Sequence, residues 1–253
     1  MIRAILYTIV FAVVQVVMPL LITNVLHLAG VETSLQDATT LIVSLMAGSI
    51  VILALFLYFR WAEVSRSYVR SRPWLVLFWS ALAAVGAIIP SEFVQELMPK
   101  LPNLVEQEFD TILRNRWGYL TIGLLAPVCE ELVFRGAILR ALLRWRRGWA
   151  AITISALLFS LVHANPVQMP HAFVIGLLLG WLYYRTDSVV PGVVYHWVNN
   201  SIAYVVYNLY PNSEMTLVDL FGSQRSVAAA VLFSLLILLP SLYQLNLRLR
   251  KAQ

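Results

Sequence analysis

Two carboxylates and a guanidinium, Glu130, Glu131 and Arg135, lie inside an apolar stretch running roughly from Trp117 to Leu143. The stretch reads as a membrane-spanning helix. Ionised side chains in the middle of a span are costly unless they pair or face a wet cavity, so their presence points to function. Glu131 and Arg135 are four residues apart, which puts them on one helical face, a turn from each other, where they can neutralise one another. Glu130 is turned by about 100° from Glu131 and keeps a free carboxylate. Glu131 and Arg135 therefore read as a structural pair and Glu130 as the chemical group. On this stretch alone, three charges that merely hold helices together in a transporter or channel are an equally good reading.

Few other strongly polar groups fall within apolar segments. Phe159 and His163 are four apart on one segment, and His196 and Asn200 are four apart on another. Each pair shares a helical face and can point at a single site. A lone intramembrane histidine is often only an interhelical hydrogen bonder; two histidines, an asparagine and an unpaired glutamate in nearby spans suggest chemistry. A carboxylate with a histidine can hold and deprotonate a water molecule. A second histidine with an amide can donate hydrogen bonds to the oxyanion of a tetrahedral intermediate. Such a set would hydrolyse an amide with no serine or cysteine nucleophile. His27 and His171 sit at span ends and are assigned no chemistry. Asn199, about 100° from Asn200, reads as a cap or a bridge between helices.

The elements that must position these residues follow from composition. Of 253 residues, 60% are hydrophobic and 12% charged, against roughly 45–50% and 25% in soluble domains. This predicts an all-α polytopic membrane protein, a single domain over 1–253 with a motif-bearing core at 117–208. The net charge of +5 then reflects cytoplasmic Lys and Arg rather than nucleic-acid binding. Cys129 is the one cysteine, so no intrachain disulfide can form, and a small apolar role suits it. The first apolar run is too long for a signal peptide's core and lacks a clear small-residue cleavage site.

A span needs about 20 mostly apolar residues. About eight segments come close: 3–26, 39–60, 73–90 (closed by Pro90), 117–143, 149–163, 171–184, 189–208 and 226–246. Between the third and fourth, residues 91–116 interleave Glu92, Glu96, Glu106, Glu108 and Asp110 with apolar residues at helical spacing, as in an amphipathic segment on the membrane surface. Trp61, Trp74, Trp117 and Trp149 near span ends fit an aromatic belt. With eight spans, Arg3, the arginines at 60–72 and 140–147, Arg185 and the 248–251 tail fall on one side. The acidic or mixed loops, with Glu32, Asp37, Glu214 and Asp219, fall on the other. The alternation puts both termini in the cytoplasm.

The ordered set Glu130-Glu131-x-x-x-Arg135, Phe159-x-x-x-His163 and His196-x-x-x-Asn200 resembles the three motifs of the CAAX prenyl protease and bacteriocin-processing (CPBP, or Abi) family. Each motif alone is weak; the ordered set on separate spans is specific. The resemblance covers about residues 130–200 and implies a glutamate-dependent intramembrane endopeptidase, as in a prokaryotic cytoplasmic membrane. It implies that Glu130 activates water with His163, and that His196 with Asn200 forms the oxyanion hole. Phe159 would shape the pocket, and Glu131 with Arg135 would brace the helix. The implied partners are the bilayer and a peptide or membrane-protein substrate. Nothing in the sequence marks a prenyl pocket.

Two other classes keep a place. One is a non-catalytic scaffold or peptide-immunity protein on the same fold, which would tolerate Glu130→Gln. The other is a proton-coupled transporter, which would more often show two similar halves with broken spans; no such symmetry is visible. Zinc held by Glu130, His163 and His196 is disfavoured, and no cofactor is expected. The His-Glu-x-x-His spacing is absent, Asn200 suits an oxyanion better than zinc, and no spare carboxylate would remain as base.

Overall fold

A computed structural model describes residues 1–210 and 215–249. Glu214, Arg250 and Lys251, to which the sequence assigned sides of the membrane, lie outside the described residues. Every regular element among the described residues is helical: α1 (Ile2–Leu28), α2 (Ala38–Tyr58), α3 (Arg66–Arg70), α4 (Trp74–Leu97) and α5 (Glu106–Leu113). A motif helix follows in four consecutive pieces, π1 (Tyr119–Leu125), α6 (Ala126–Glu131), π2 (Leu132–Leu139) and α7 (Arg140–Leu143). Then come α8 (Gly148–Leu161), α9 (Met169–Thr186), α10 (Val190–Leu209), α11 (Leu217–Phe221) and α12 (Gln224–Arg248). This is the all-α membrane class that the composition predicts.

Four helices, α1, α2, α4 and α12, are long and apolar enough to cross a bilayer. The other four expected spans differ. The motif helix is subdivided by its π-helical turns, α8 has only 14 residues, and α9 and α10 carry polar side chains such as Arg185, His196 and Asn200. Two boundaries are corrected. Pro90 does not close the third span: α4 continues through it to Leu97. A proline inside a membrane helix is tolerated where neighbours re-satisfy the freed backbone, and α12 packs along α4. Glu92 and Glu96 therefore belong to α4, and the amphipathic helix shrinks to α5.

The motif helix is the centre of the protein. Every residue of π2 is buried, surrounded by α1, α2, α8 and α9. Wide π turns take carbonyls out of the regular ladder, and side chains from neighbouring helices meet two of them. Asn200 Nδ2 donates to the Ile122 carbonyl at 3.1 Å, and Ser155 Oγ donates to the Phe134 carbonyl at 3.0 Å. Cys129 is buried, with its sulfur 3.8 Å from the Ser49 carbonyl. On the far side, α8 and α9 lie close together, because a Cβ on Gly176 would come within 3.0 Å of the Ala156 backbone.

Of the four tryptophans assigned to an aromatic belt, Trp74, Trp117 and Trp149 are exposed, as membrane anchors are. Trp61 instead packs among Tyr7, Phe56 and Phe59.

Candidate functional site

Three separate elements bring the polar residues to one cavity of about 430 Å3. Glu130 from α6, Phe159 and His163 from the end of α8, and His196 and Asn200 from α10 all line it. His163 stands just past the last residue of α8 rather than within it, because Asn165-Pro166 turns the chain there. Its ring is nevertheless pinned one turn back. His163 Nδ1 lies 2.8 Å from the Phe159 carbonyl, which can only accept. Nδ1 therefore carries a proton, and in a neutral ring Nε2 is the acceptor.

Glu131 and Arg135 are almost wholly buried, at 0% and 1% exposure. Arg135 Nη1 donates to Glu131 Oε1 at 2.8 Å, its Nη2 donates to the Gly176 carbonyl at 3.2 Å, and its guanidinium sits 4.5 Å from the centre of the Phe159 ring. Phe159 is thus a partition, with Arg135 against it and the rings of His163 and His196 edge-on at 4.9 and 5.9 Å.

Glu131 does more than pair with Arg135. The same Oε1 accepts from His196 Nδ1 at 3.1 Å. The other ring nitrogen, Nε2, faces Glu130 Oε2 at 3.7 Å. That gap is too long for a direct hydrogen bond. Glu131 Oε2 has no partner among the described residues; it lies against Gly192, where a Cβ would approach it to 2.8 Å. On the other flank, Asn200 Nδ2 is held by Ile122, and its Oδ1 accepts from Asn199 Nδ2 at 3.3 Å. One amide hydrogen of Asn200 is left for the cavity.

Sequence reasoning passed over His171. It lines the same cavity, at the start of α9. The available signal was the short 163–171 connection, which folds the histidine after Pro170 back beside His163. Asn199, read as a bridge, also lines the cavity, whereas His27 is remote and bonds the Thr33 carbonyl. Among the described residues, no three of His, Cys, Asp or Glu converge in a metal-binding arrangement.

The helices of this membrane protein thus gather carboxylates and histidines around one cavity. Residues 113–202, which contain all three motifs, match the family model described as Type II CAAX prenyl endopeptidase Rce1-like. It is the protease family that the motif order resembles. No curated protein and no solved structure matches the chain.

Proposed function

We propose that the protein is an intramembrane endopeptidase that hydrolyses a peptide bond with a glutamate-activated water. The observation that supports this reading best is the convergence of Glu130, His163, His196 and Asn200 from three elements on one cavity. Glu130 is the general base, and the acceptor Nε2 of His163 holds the second proton of the same water. His196 and the free amide hydrogen of Asn200 donate to the oxyanion. Glu130 takes the water's proton as the hydroxyl attacks the carbonyl carbon, then passes it to the leaving nitrogen as the C–N bond breaks. Zinc has no place in this scheme, since Glu130 is used as the base and Glu131 is shared by Arg135 and His196.

The substrate is a peptide or membrane-associated protein that enters between helices. The protein sits in a prokaryotic cytoplasmic membrane, with eight membrane-crossing segments and both termini in the cytoplasm. The decisive experiment is proteomics of new peptide termini in membranes carrying wild-type protein or Glu130→Gln. Termini present with wild type and absent with the variant are expected. Identical termini would sink the reading and favour a non-catalytic scaffold on the same fold.

A further inference from the structure

Glu131, Arg135, His196 and Glu130 form one buried charge cluster, and its hydrogen bonds restrict where its protons sit. Arg135 contributes one positive charge and the two carboxylates contribute two negative ones. A neutral His196 would leave the cluster with a net negative charge in a low-dielectric interior, which is costly. Geometry gives a second, independent argument. Both ring nitrogens of His196 face carboxylate oxygens, Nδ1 at 3.1 Å from Glu131 Oε1 and Nε2 at 3.7 Å from Glu130 Oε2. An ionised carboxylate only accepts, and a neutral imidazole carries a single N–H. A neutral ring would therefore aim a lone pair at one of the two carboxylates. With Nδ1–H given to Glu131 at 3.1 Å, only a doubly protonated ring has an Nε2–H to offer across the 3.7 Å gap to Glu130 or to a substrate oxyanion.

We propose that Glu131 is a positioning residue that holds His196 as an imidazolium, so that the Nε2–H is a permanent cationic donor to the reaction centre. The inference rests on the endopeptidase reading for what that donor serves. In hydrolysis the water's proton goes to Glu130 and from there to the leaving nitrogen; His196 keeps both protons throughout and only donates a hydrogen bond. This goes beyond a brace. Arg135 and His196 share the single atom Glu131 Oε1, so Arg135 orients the carboxylate, and the carboxylate orients and charges the histidine. The other titratable groups that line this cavity are His163, His171, Cys129, Tyr204 and Tyr207. The Nδ1–H of His163 is committed to the Phe159 carbonyl.

The test is nitrogen NMR on full-length protein in nanodiscs with isotope-labelled histidine, near neutral pH. The chain has four histidines, and His196→Asn identifies the resonances of His196. In wild type, both His196 nitrogens are expected in the protonated range. In Glu131→Gln, His196 is expected to lose its second proton, while Glu131→Asp retains it. With any peptide identified from the new termini, kcat per folded molecule should fall on the order of a hundredfold in Glu131→Gln, as when one oxyanion donor is removed, with little change in KM and recovery in Glu131→Asp. A singly protonated His196 in wild type overturns the proposal, and that spectrum decides it even if Glu131→Gln does not fold. So does a Glu131→Gln protein with unchanged kcat. Absence of proteolysis by wild type would instead strike the endopeptidase reading and leave the charge on His196 as measured.

Discussion

At the scale of single residues, the site is held by a few hydrogen bonds that converge on one carboxylate. Glu131 is its hub, and Gly192 makes room for that hub. A methyl group at 192 would approach Glu131 Oε2 to 2.8 Å, and that oxygen is buried. Glu131 cannot move aside without lengthening its contacts to Arg135 and His196. Gly192→Ala is therefore expected to destabilise the protein by about 1–3 kcal/mol, the usual cost of overpacking a filled interior. It should also lower turnover more than an equally destabilising alanine elsewhere in α10. A thermal unfolding scan paired with kcat per folded molecule checks this. A wild-type melting temperature and turnover would show that the carboxylate has room to spare.

At the scale of elements, the three motifs were legible because each puts its two key residues one turn apart, and helical geometry alone predicted their shared faces. Glu131 and Arg135 do lie in contact one turn apart. The bond from Glu131 to His196 was not legible, because it crosses 65 positions of sequence and depends on how far α10 approaches the motif helix. His171 was hidden for a related reason: apolar periodicity places it at a span end, and only the fold of the 163–171 connection turns it inward. The π turns left no periodic signature either, and Pro90 broke the pattern without breaking the helix. The amphipathic spacing around 106–113 was correct in kind, but its function comes from contacts. Phe109, Ile112 and Leu113 line the cavity, so α5 forms part of its wall. Asn165, fully buried, ties the preceding strand of chain to the His163 turn: it accepts from the Leu104 amide at 2.9 Å and donates to Asn103 at 2.9 Å. The other end is tied by the Tyr207 hydroxyl, which donates to Asp110, and by the Arg114 salt bridge to Asp110 at 2.7 Å.

Those bonds hold the Asp110 carboxyl below its ordinary value of 3.8, the Tyr207 hydroxyl first and Arg114 next. A carboxylate depressed by folding contributes stability that is present above its unfolded value and is lost as the pH falls through its folded one. Amide hydrogen exchange over 104–113 should therefore stay slow at neutral pH and quicken as the pH falls below about 4, after correction for intrinsic exchange. Asp110→Asn should bring the faster exchange to neutral pH and remove the acid transition. Acid-insensitive protection in the wild type would show that α5 is held by its apolar face alone.

At the scale of the whole molecule, the charge pattern and the fold can be compared directly. The sequence puts Arg3, the 60–72 arginines, the 140–147 cluster, Arg185 and Arg248 on one side of the membrane, from loop alternation alone. The fold places several of these residues in three grooves. Arg3 shares a groove with Arg144 and Arg146, Arg72 shares one with Arg248, and Arg147 shares one with Arg185. Each groove also holds a tryptophan, Trp145, Trp74 or Trp149, as expected where helix ends meet headgroups. Two acidic residues make their contacts elsewhere: Glu96, at the end of α4, accepts from the Leu217 amide at 2.5 Å, and Asp110 accepts from Tyr207 on α10. Short basic loops stay in the cytoplasm, so Arg70 and Arg146 are expected there, and Glu32 and Glu106 on the opposite side. All four are exposed. In a Cys129→Ala background, Arg70→Cys and Arg146→Cys should react with a membrane-impermeant maleimide only in inverted vesicles. Glu32→Cys and Glu106→Cys should react only in intact cells or right-side-out vesicles. Glu32 and Arg70 reacting from the same side would break the alternation at α2, one of the four helices long and apolar enough to cross, and with it the assignment of both termini to the cytoplasm.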